Sequence, residues 1–256
     1  MSSTPKNRTE KVLLSVENLH VAYGKAEVVH GINMDVRAGE FVVVLGRNGA
    51  GKSTTMHAIS GLVPKREGRV TFEGKDLSQA TPREIVQAGI IQVLEGHRVF
   101  HALTVEDNIL IGTYAKHPSG DRSKLDEIYA LFPEMAEKRH QLASRLSGGQ
   151  QQILAVAQGV IGDPRLLILD EPSAGLAPMV VDRILNVASD LCAKGMAILL
   201  VEQLVEKALH HGHYAYLMET GRIAAAASAK EISQGDLLHR VFLGGGEPVE
   251  QEGVIR

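Results

Sequence analysis

The run GRNGAGKST at 46–54 has the residue types and spacing to bind phosphate. It follows the apolar segment FVVVL and opens a helical stretch, the setting in which G-x-x-x-x-G-K-[ST] works. Gly46, Gly49 and Gly51 allow the backbone to wrap closely around an anion, with Asn48 and Ala50 completing the curve and N–H groups turned inward. A helix starting here adds a dipole that favours negative charge. Lys52 supplies a positive charge for the outer oxygens of a nucleotide, and the hydroxyl of Ser53, followed by Thr54, can ligate Mg²⁺. A bare glycine-rich turn would have to reproduce four fixed positions by chance, at a junction of strand and helix.

A second apolar run, RLLILD, ends in Asp170 and Glu171. Asp170 is placed to hold the Mg²⁺ shell. Glu171, one residue further, is placed where a carboxylate can orient or deprotonate water attacking the terminal phosphate. A strand exit reading Asp-Glu is common, and only the phosphate loop gives it weight. A third run, AILLVE, ends in Glu202 and is followed by Gln203, two polar residues whose partner is open at this point.

The elements that must position these residues are legible as a pattern. VLLSVENLHVAYG and VVHGINMDVRAGEFVVVLG predict strands with turns at Tyr23-Gly24 and Ala38-Gly39, and GRVTFEGKDL predicts a further strand. From about 81 to 141 the pattern is mainly helical (TPREIVQAG, TVEDNILIGTYA, SKLDEIYALFPEMAEKR), interrupted by the strand IIQVL. A helix through GGQQQILAVAQGVIG follows, then RLLILD, a long helix to Lys194, AILLVE, a hairpin of YAYLME and RIAAAA about Thr220-Gly221, and a last helix ending near Leu243. Apolar strands alternating with helices predict an α/β fold with a mainly parallel sheet, preceded by an antiparallel β subdomain and interrupted by a helical insertion.

The chain of 256 residues is 44% hydrophobic and carries a formal net charge of −3, which argues against a general nucleic-acid binder. One cysteine, Cys192, excludes an internal disulfide and lies at helical spacing among apolar residues, as a buried side chain. The N-terminus MSSTPKNRTEK shows no secretory signal, and no apolar run approaches the ~20 residues of a membrane helix. The expectation is a soluble chain that docks, if it works at a membrane, on something that spans it.

RLSGGQQQ at 145–152 narrows the choice. Ser147 with the amides of Gly148 and Gly149, ahead of Gln150, makes a second phosphate-shaped cup at a helix start. Two such cups with one pair of acidic residues resemble the ATP-binding cassette (ABC) proteins, over about 14–244 of this chain. The resemblance implies a phosphate-loop NTPase core, here 11–244 between flexible tails at 1–10 and 245–256, with a helical subdomain at about 95–162 that carries the signature. It implies that ATP and Mg²⁺ are bound, that the signature of one subunit closes over ATP held by another, and that Tyr23 stacks on adenine. A strand-end aromatic packed on the core is the alternative for Tyr23.

YGKAEVVHGINMDVRAGE, VLEGHRVFHALTVEDNI, EPSAGLAP and LLVEQ resemble one branch, the cassettes of importers for branched-chain amino acids, urea, short amides and hydrophobic acids. In that branch a Glu, here Glu95, takes the place of the usual Gln that senses Mg²⁺ and meets the transmembrane subunits. Leu94 replaces the usual Pro and His97 the usual Arg, departures that touch docking geometry. Gln92 is the less favoured candidate for the sensing role. Gln203 stands where most cassettes place a His beside the γ-phosphate; it can donate to a phosphate oxygen and accept from water, yet it cannot carry a proton charge near neutral pH. The resemblance thus implies catalysis by Glu171, Lys52 and Gln203, and a peripheral subunit on the cytoplasmic face of the inner or plasma membrane. Its partners would be transmembrane permease subunits, a second cassette (the same or a different chain) and, indirectly, a periplasmic or extracellular solute-binding protein; nucleic acid is not expected. The alternative function is a soluble ABC ATPase without a transporter. His210, His211 and His213 lack metal-ligand spacing and are expected as surface imidazoles at a helix end. His97 and His101 fall in the segment expected at the membrane subunit.

Overall fold

The computed structural model describes residues 10–96, 98–117 and 119–235. Most of the expected N-terminal tail, His97, the helix end near Leu243 and the tail at 245–256 lie outside the described residues. β1 (Val12–Tyr23) and β2 (Ala26–Arg37) form an antiparallel hairpin, and β3 (Phe41–Leu45) leads into the phosphate loop and α1 (Lys52–Ile59). The single strand expected in GRVTFEGKDL is instead two, β4 (Lys65–Phe72) and β5 (Lys75–Asp76). Glu73 and Gly74 both take positive φ there and turn the chain back, a conformation that glycine adopts without cost. These strands form an antiparallel sheet ordered β2-β1-β4-β5.

The helical insertion starts with α2 (Pro82–Ala88), where Thr81 and Glu84 make a reciprocal capping box around Pro82. β6 (Ile90–Val93) follows, then α3 (Val105–Ile111), shorter than the expected TVEDNILIGTYA. Gly112 ends it where a β-carbon would stand 1.9 Å from the carbonyl of Gln158, and the chain continues through 112–117 in tighter turns. SKLDEIYALFPEMAEKR is broken in two, α4 (Leu125–Leu131) and α5 (Pro133–Ala136). The break falls at Phe132, because the proline ring excludes helical geometry from the residue before it.

The remaining elements alternate as expected: α6 (Gly148–Ile161), β7 (Leu166–Asp170), α7 (Pro178–Ala193), β8 (Ala197–Glu202), α8 (Val205–His211), the hairpin β9 (Tyr214–Glu219) and β10 (Arg222–Ser228), and α9 (Ala229–Gln234). The second sheet runs β10-β9-β3-β8-β7-β6, parallel except at its β10 edge. β3, β7 and β8 are buried along their whole length because both faces are covered. Val43, Leu169 and Leu200 point to a core shared with α3, α6 and α7; Val44, Ile168 and Val201 point to a core shared with α1 and the antiparallel sheet. The Tyr216 hydroxyl pins the two sheets by accepting from the Asp35 amide at 3.0 Å. Leu154 of α6 is fully buried in the helical core, and its truncation to alanine would cost about 2–5 kcal/mol. Cys192 is buried as expected, its thiol 3.3 Å from the Gly39 carbonyl.

Candidate nucleotide site

The parallel register brings three strand exits to one edge of the sheet. Leu45 lies opposite Glu202, and Asp170 opposite Val201, so β8 stands between the phosphate loop and the acidic pair. Two glycines are required sterically. A β-carbon on Gly46 would sit 2.4 Å from the Met218 carbonyl, and Gly51 begins α1 with φ +96°.

Lys52 is 3% exposed and its Nζ donates to the carbonyls of Gly46 (2.9 Å) and Arg47 (3.3 Å). The same ammonium lies 3.2 Å from Oε1 of Glu171, while Oε2 accepts from the Gln203 side-chain amide. Glu171 takes φ +45°, a left-handed conformation that costs of order 1–3 kcal/mol in a non-glycine residue. Its amide donates to the Val201 carbonyl at 3.0 Å, so the turned backbone is tied to β8.

Ser53 donates its hydroxyl to Oδ1 of Asp170 at 2.9 Å. Oδ2 of Asp170 accepts from Gln92 Nε2 at 3.2 Å and lies 3.6 Å from His57 Nε2. Burial raises the Asp170 pKa, Ser53 and His57 oppose the rise, and the carboxylates of Glu171 and Glu95 add to it. The side-chain oxygen of Gln92 is buried without a partner among the described residues. The Ser53 hydroxyl and the carboxylates of Asp170 and Glu95 are hard oxygen donors around one cleft. That set fits Mg²⁺.

Glu95 lies exposed on the turn after β6 and lines this cleft with Ser53, His57 and Asp170, whereas Gln92, the candidate that touches Asp170, lines a separate cavity with Ile91 and Gly159. His57 was not anticipated, although it lies one helical turn beyond Ser53 and spacing alone places it on the same face. For Glu202 the sequence leaves open a strand end or a residue facing the site. It is buried and accepts hydrogen bonds from the Ser173 amide and hydroxyl and the Gln203 amide.

Ser147 and Gly148 are exposed at the start of α6. Ser147 and Gln150 form a capping box, in which the Ser147 hydroxyl accepts from the Gln150 amide and the Gln150 side chain accepts from the Ser147 amide. α6 passes Val93 and Leu167 of the sheet at Gly159. The signature thus stands about 16 Å further along the helix axis, at 1.5 Å per residue. Tyr23, at the end of β1, is half exposed and belongs to neither core, so the core-packed alternative does not hold.

The histidines after α8 depart from expectation. His210 is exposed, but His211 bonds to the Ser189 hydroxyl at 2.7 Å and stacks on Phe41, and His213 Nδ1 accepts from the Phe41 amide at 3.0 Å. They tie α8 and the entry to β9 to Phe41 of β3, and burial lowers the His211 pKa. No cluster of three metal-ligating side chains occurs among the described residues, nor any helix long and apolar enough to cross a membrane.

The family model for ABC transporters matches residues 29–174. The chain is 35% identical to the high-affinity branched-chain amino acid transport ATP-binding protein BraG of Pseudomonas aeruginosa, covering 91% of this chain and all (100%) of that one. It is 32% identical to the probable branched-chain amino acid transport ATP-binding protein LivF of Archaeoglobus fulgidus (91% and 99% covered). With the lipopolysaccharide export system ATP-binding protein LptB of Haemophilus influenzae the identity is 31% (91% and 97%). Among solved structures, an ATP-binding cassette of an ABC transporter in its ADP conformation superposes with a TM-score of 0.79 at 26% identity, covering 92% of this chain and 100% of that one. The cassette cbiO1 of Clostridium perfringens, part of the cbiONQ transporter complex, superposes at 0.77 and 26% (92% and 96%). The chain belongs to the ABC transporter family, with the cassette's phosphate-loop α/β fold. It is an ATP-hydrolysing subunit of a transporter.

Proposed function

We propose that Lys52, Ser53, Asp170, Glu171 and Gln203 form one MgATP-hydrolysing site, and that it powers the import of branched-chain amino acids or related small hydrophobic or amide solutes. The observation carrying the site is the pairing of Ser53 with Asp170 at 2.9 Å beside that of Lys52 with Glu171 at 3.2 Å. One pair has the chemistry of a cation site and the other that of a reacting phosphate.

In this reading the loop from Gly46 to Thr54, including Asn48, Gly49, Ala50 and Gly51, wraps the ATP phosphates, with Lys52 against the outer oxygens. Ser53 and Asp170 would hold Mg²⁺, with Glu95 or Gln92 as the residue that senses it. Bound Mg²⁺ supplies positive charge to the phosphate oxygens. Glu171 accepts the proton of the attacking water, and Gln203 holds the Glu171 carboxylate while offering its amide to the terminal phosphate. Tyr23 has exposed ring surface for adenine. Ser147, Gly148, Gly149 and Gln150 serve a second cassette, a copy of this chain or a sister chain, and residues of about 95–162 act as the helical subdomain meeting the permease. The unit so described spans 11–244, at the cytoplasmic face of the membrane, with a solute-binding protein on the other side.

BraG and LivF support the choice of solute by name and coverage. The test uses tagged Glu171→Gln protein with MgATP on detergent-solubilised native membranes. Permease subunits should be recovered, and the same complex rebuilt in liposomes with the wild-type chain and its binding protein should hydrolyse ATP faster in the presence of leucine, isoleucine or valine, or a short amide. Stimulation by lipopolysaccharide alone would move the chain to the export role named for LptB.

A further inference from the structure

Glu202 is 1% exposed and carries a carboxylate that the site above leaves without a role. Its Oε1 accepts from the Ser173 amide at 3.0 Å. Its Oε2 accepts from the Ser173 hydroxyl at 2.7 Å and from the Gln203 amide at 3.0 Å, with the Leu204 amide at 3.5 Å. No cation pairs with it among the described residues. All its partners are neutral N–H and O–H groups, and they come from two separate segments. One is the turn that starts at Glu171; the other is the chain leaving β8 at Gln203.

Those two segments carry the two side chains that meet as Glu171 and Gln203. Ser173 follows Glu171 by two residues, and Gln203 follows Glu202 directly. The turn itself has few ties: Glu171 to Val201, Ala174 to Glu171 and Leu176 to Ser173, all through backbone. A buried carboxylate accepting from both segments fixes their separation more tightly than neutral bonds would, since charge-assisted hydrogen bonds are about twice as strong. We propose that Glu202 is a positioning residue for ATP hydrolysis, clamping the turn after Glu171 to the backbone of Gln203 so that the Glu171 carboxylate and the Gln203 amide hold their mutual geometry.

The inference rests on the Glu171–Gln203 assignment made above, and its test separates the two. Full-length wild-type, Glu202→Gln, Gln203→Ala and double-variant proteins are compared for MgATP turnover, and for affinity with a fluorescent ATP analogue. A glutamine at 202 keeps the volume but presents an NH₂ group to at least one donor. Glu202→Gln should lower kcat by about tenfold, the loss of roughly one charge-assisted bond, with nucleotide affinity within about twofold. In the Gln203→Ala background the same change should cost less than about threefold, because two residues acting through one contact are not additive. An unchanged kcat in folded Glu202→Gln, or an equal loss in both backgrounds, would overturn the proposal and leave Glu202 as an anchor of the fold. Should Glu202→Gln fail to fold, Ser173→Ala removes one donor from a half-exposed position. It should lower kcat about threefold with affinity retained, a modest share of one hydrogen bond, and an unchanged rate would equally overturn the clamp. Gln203→Ala with full activity would instead sink the assigned role of Gln203 and the clamp with it, whereas a loss in Gln203→Ala with none in Glu202→Gln would overturn the clamp alone.

Discussion

Gln203 and Glu171 stand 32 residues apart in sequence and meet through a side-chain hydrogen bond, while the other oxygen of Glu171 faces Lys52. The carboxylate is held between an amide and an ammonium, on a backbone turned left-handed. Gln203→Ala should lower kcat by about tenfold, the scale of one hydrogen bond to a charged group, without weakening nucleotide binding. Gln203→His retains an N–H donor and should recover most of the loss. Steady-state turnover at saturating MgATP reads both, and an unchanged rate in the alanine variant would reduce Gln203 to a solvated strand end.

Asp170 predicts a pH effect on the protein without nucleotide or metal. Its pKa is raised chiefly by burial, so the folded state binds more protons than the unfolded one as pH climbs from the ordinary carboxylate value toward the raised one. Stability from this residue is present below that window and is lost as pH rises through it. Asp170→Asn removes the penalty, and its amide can donate to the orphaned oxygen once Gln92 turns over. Thermal unfolding of the metal-free proteins should place the variant above wild type at pH 7, with the gap closing near pH 4. A variant less stable at pH 7 would contradict the assignment of burial as the dominant cause.

Gln92 and Glu95 offer two ways to sense the cation. Gln92 touches Asp170 and its oxygen lacks a partner, whereas Glu95 lies exposed at the edge of the cleft. Gln92→Ala should therefore raise the Mg²⁺ concentration for half-maximal turnover more than Glu95→Ala does, by about tenfold, the low end of the range for groups that orient metal ligands. A Mg²⁺ titration of both variants checks the order, and the reverse order would return the sensing role to Glu95.

Much of this was legible in the chain. β3, β7 and β8 are continuous apolar runs because both faces are covered, and their exits could be lined up from sequence since parallel strands end at one edge. Phosphate loop and signature announce themselves by local spacing, as anion cups built from consecutive amides must. The residues that were misread depend on distant partners. Gly112 ends a helix where α6 comes too close, and His211 and His213 pack on Phe41; the break at Phe132 is the exception, since Pro133 acts on the residue before it. Glu202 stayed open between a strand end and a residue facing the site because its donors, Ser173 and Gln203, include one that lies 29 residues away.

Lys52 is buried with its ammonium on two loop carbonyls and Glu171. Lys52→Ala removes the cation the loop presents to the outer phosphates and should weaken MgATP affinity by at least about 100-fold, a loss in the range of a buried charge pair. Equilibrium binding of a fluorescent ATP analogue reads this. Micromolar binding retained by the variant would contradict the phosphate-loop assignment.

Glu171 carries the central claim, that a single carboxylate beside Lys52 and Gln203 drives hydrolysis at this site. The direct measurement is MgATP binding and single-turnover hydrolysis on Glu171→Gln and wild type side by side, in the assembled transporter. The amide variant should bind MgATP as well as wild type and hydrolyse it at least about 100-fold more slowly, the low end of a lost general base. Near-wild-type turnover with binding intact would contradict the account and remove Glu171 from the chemistry.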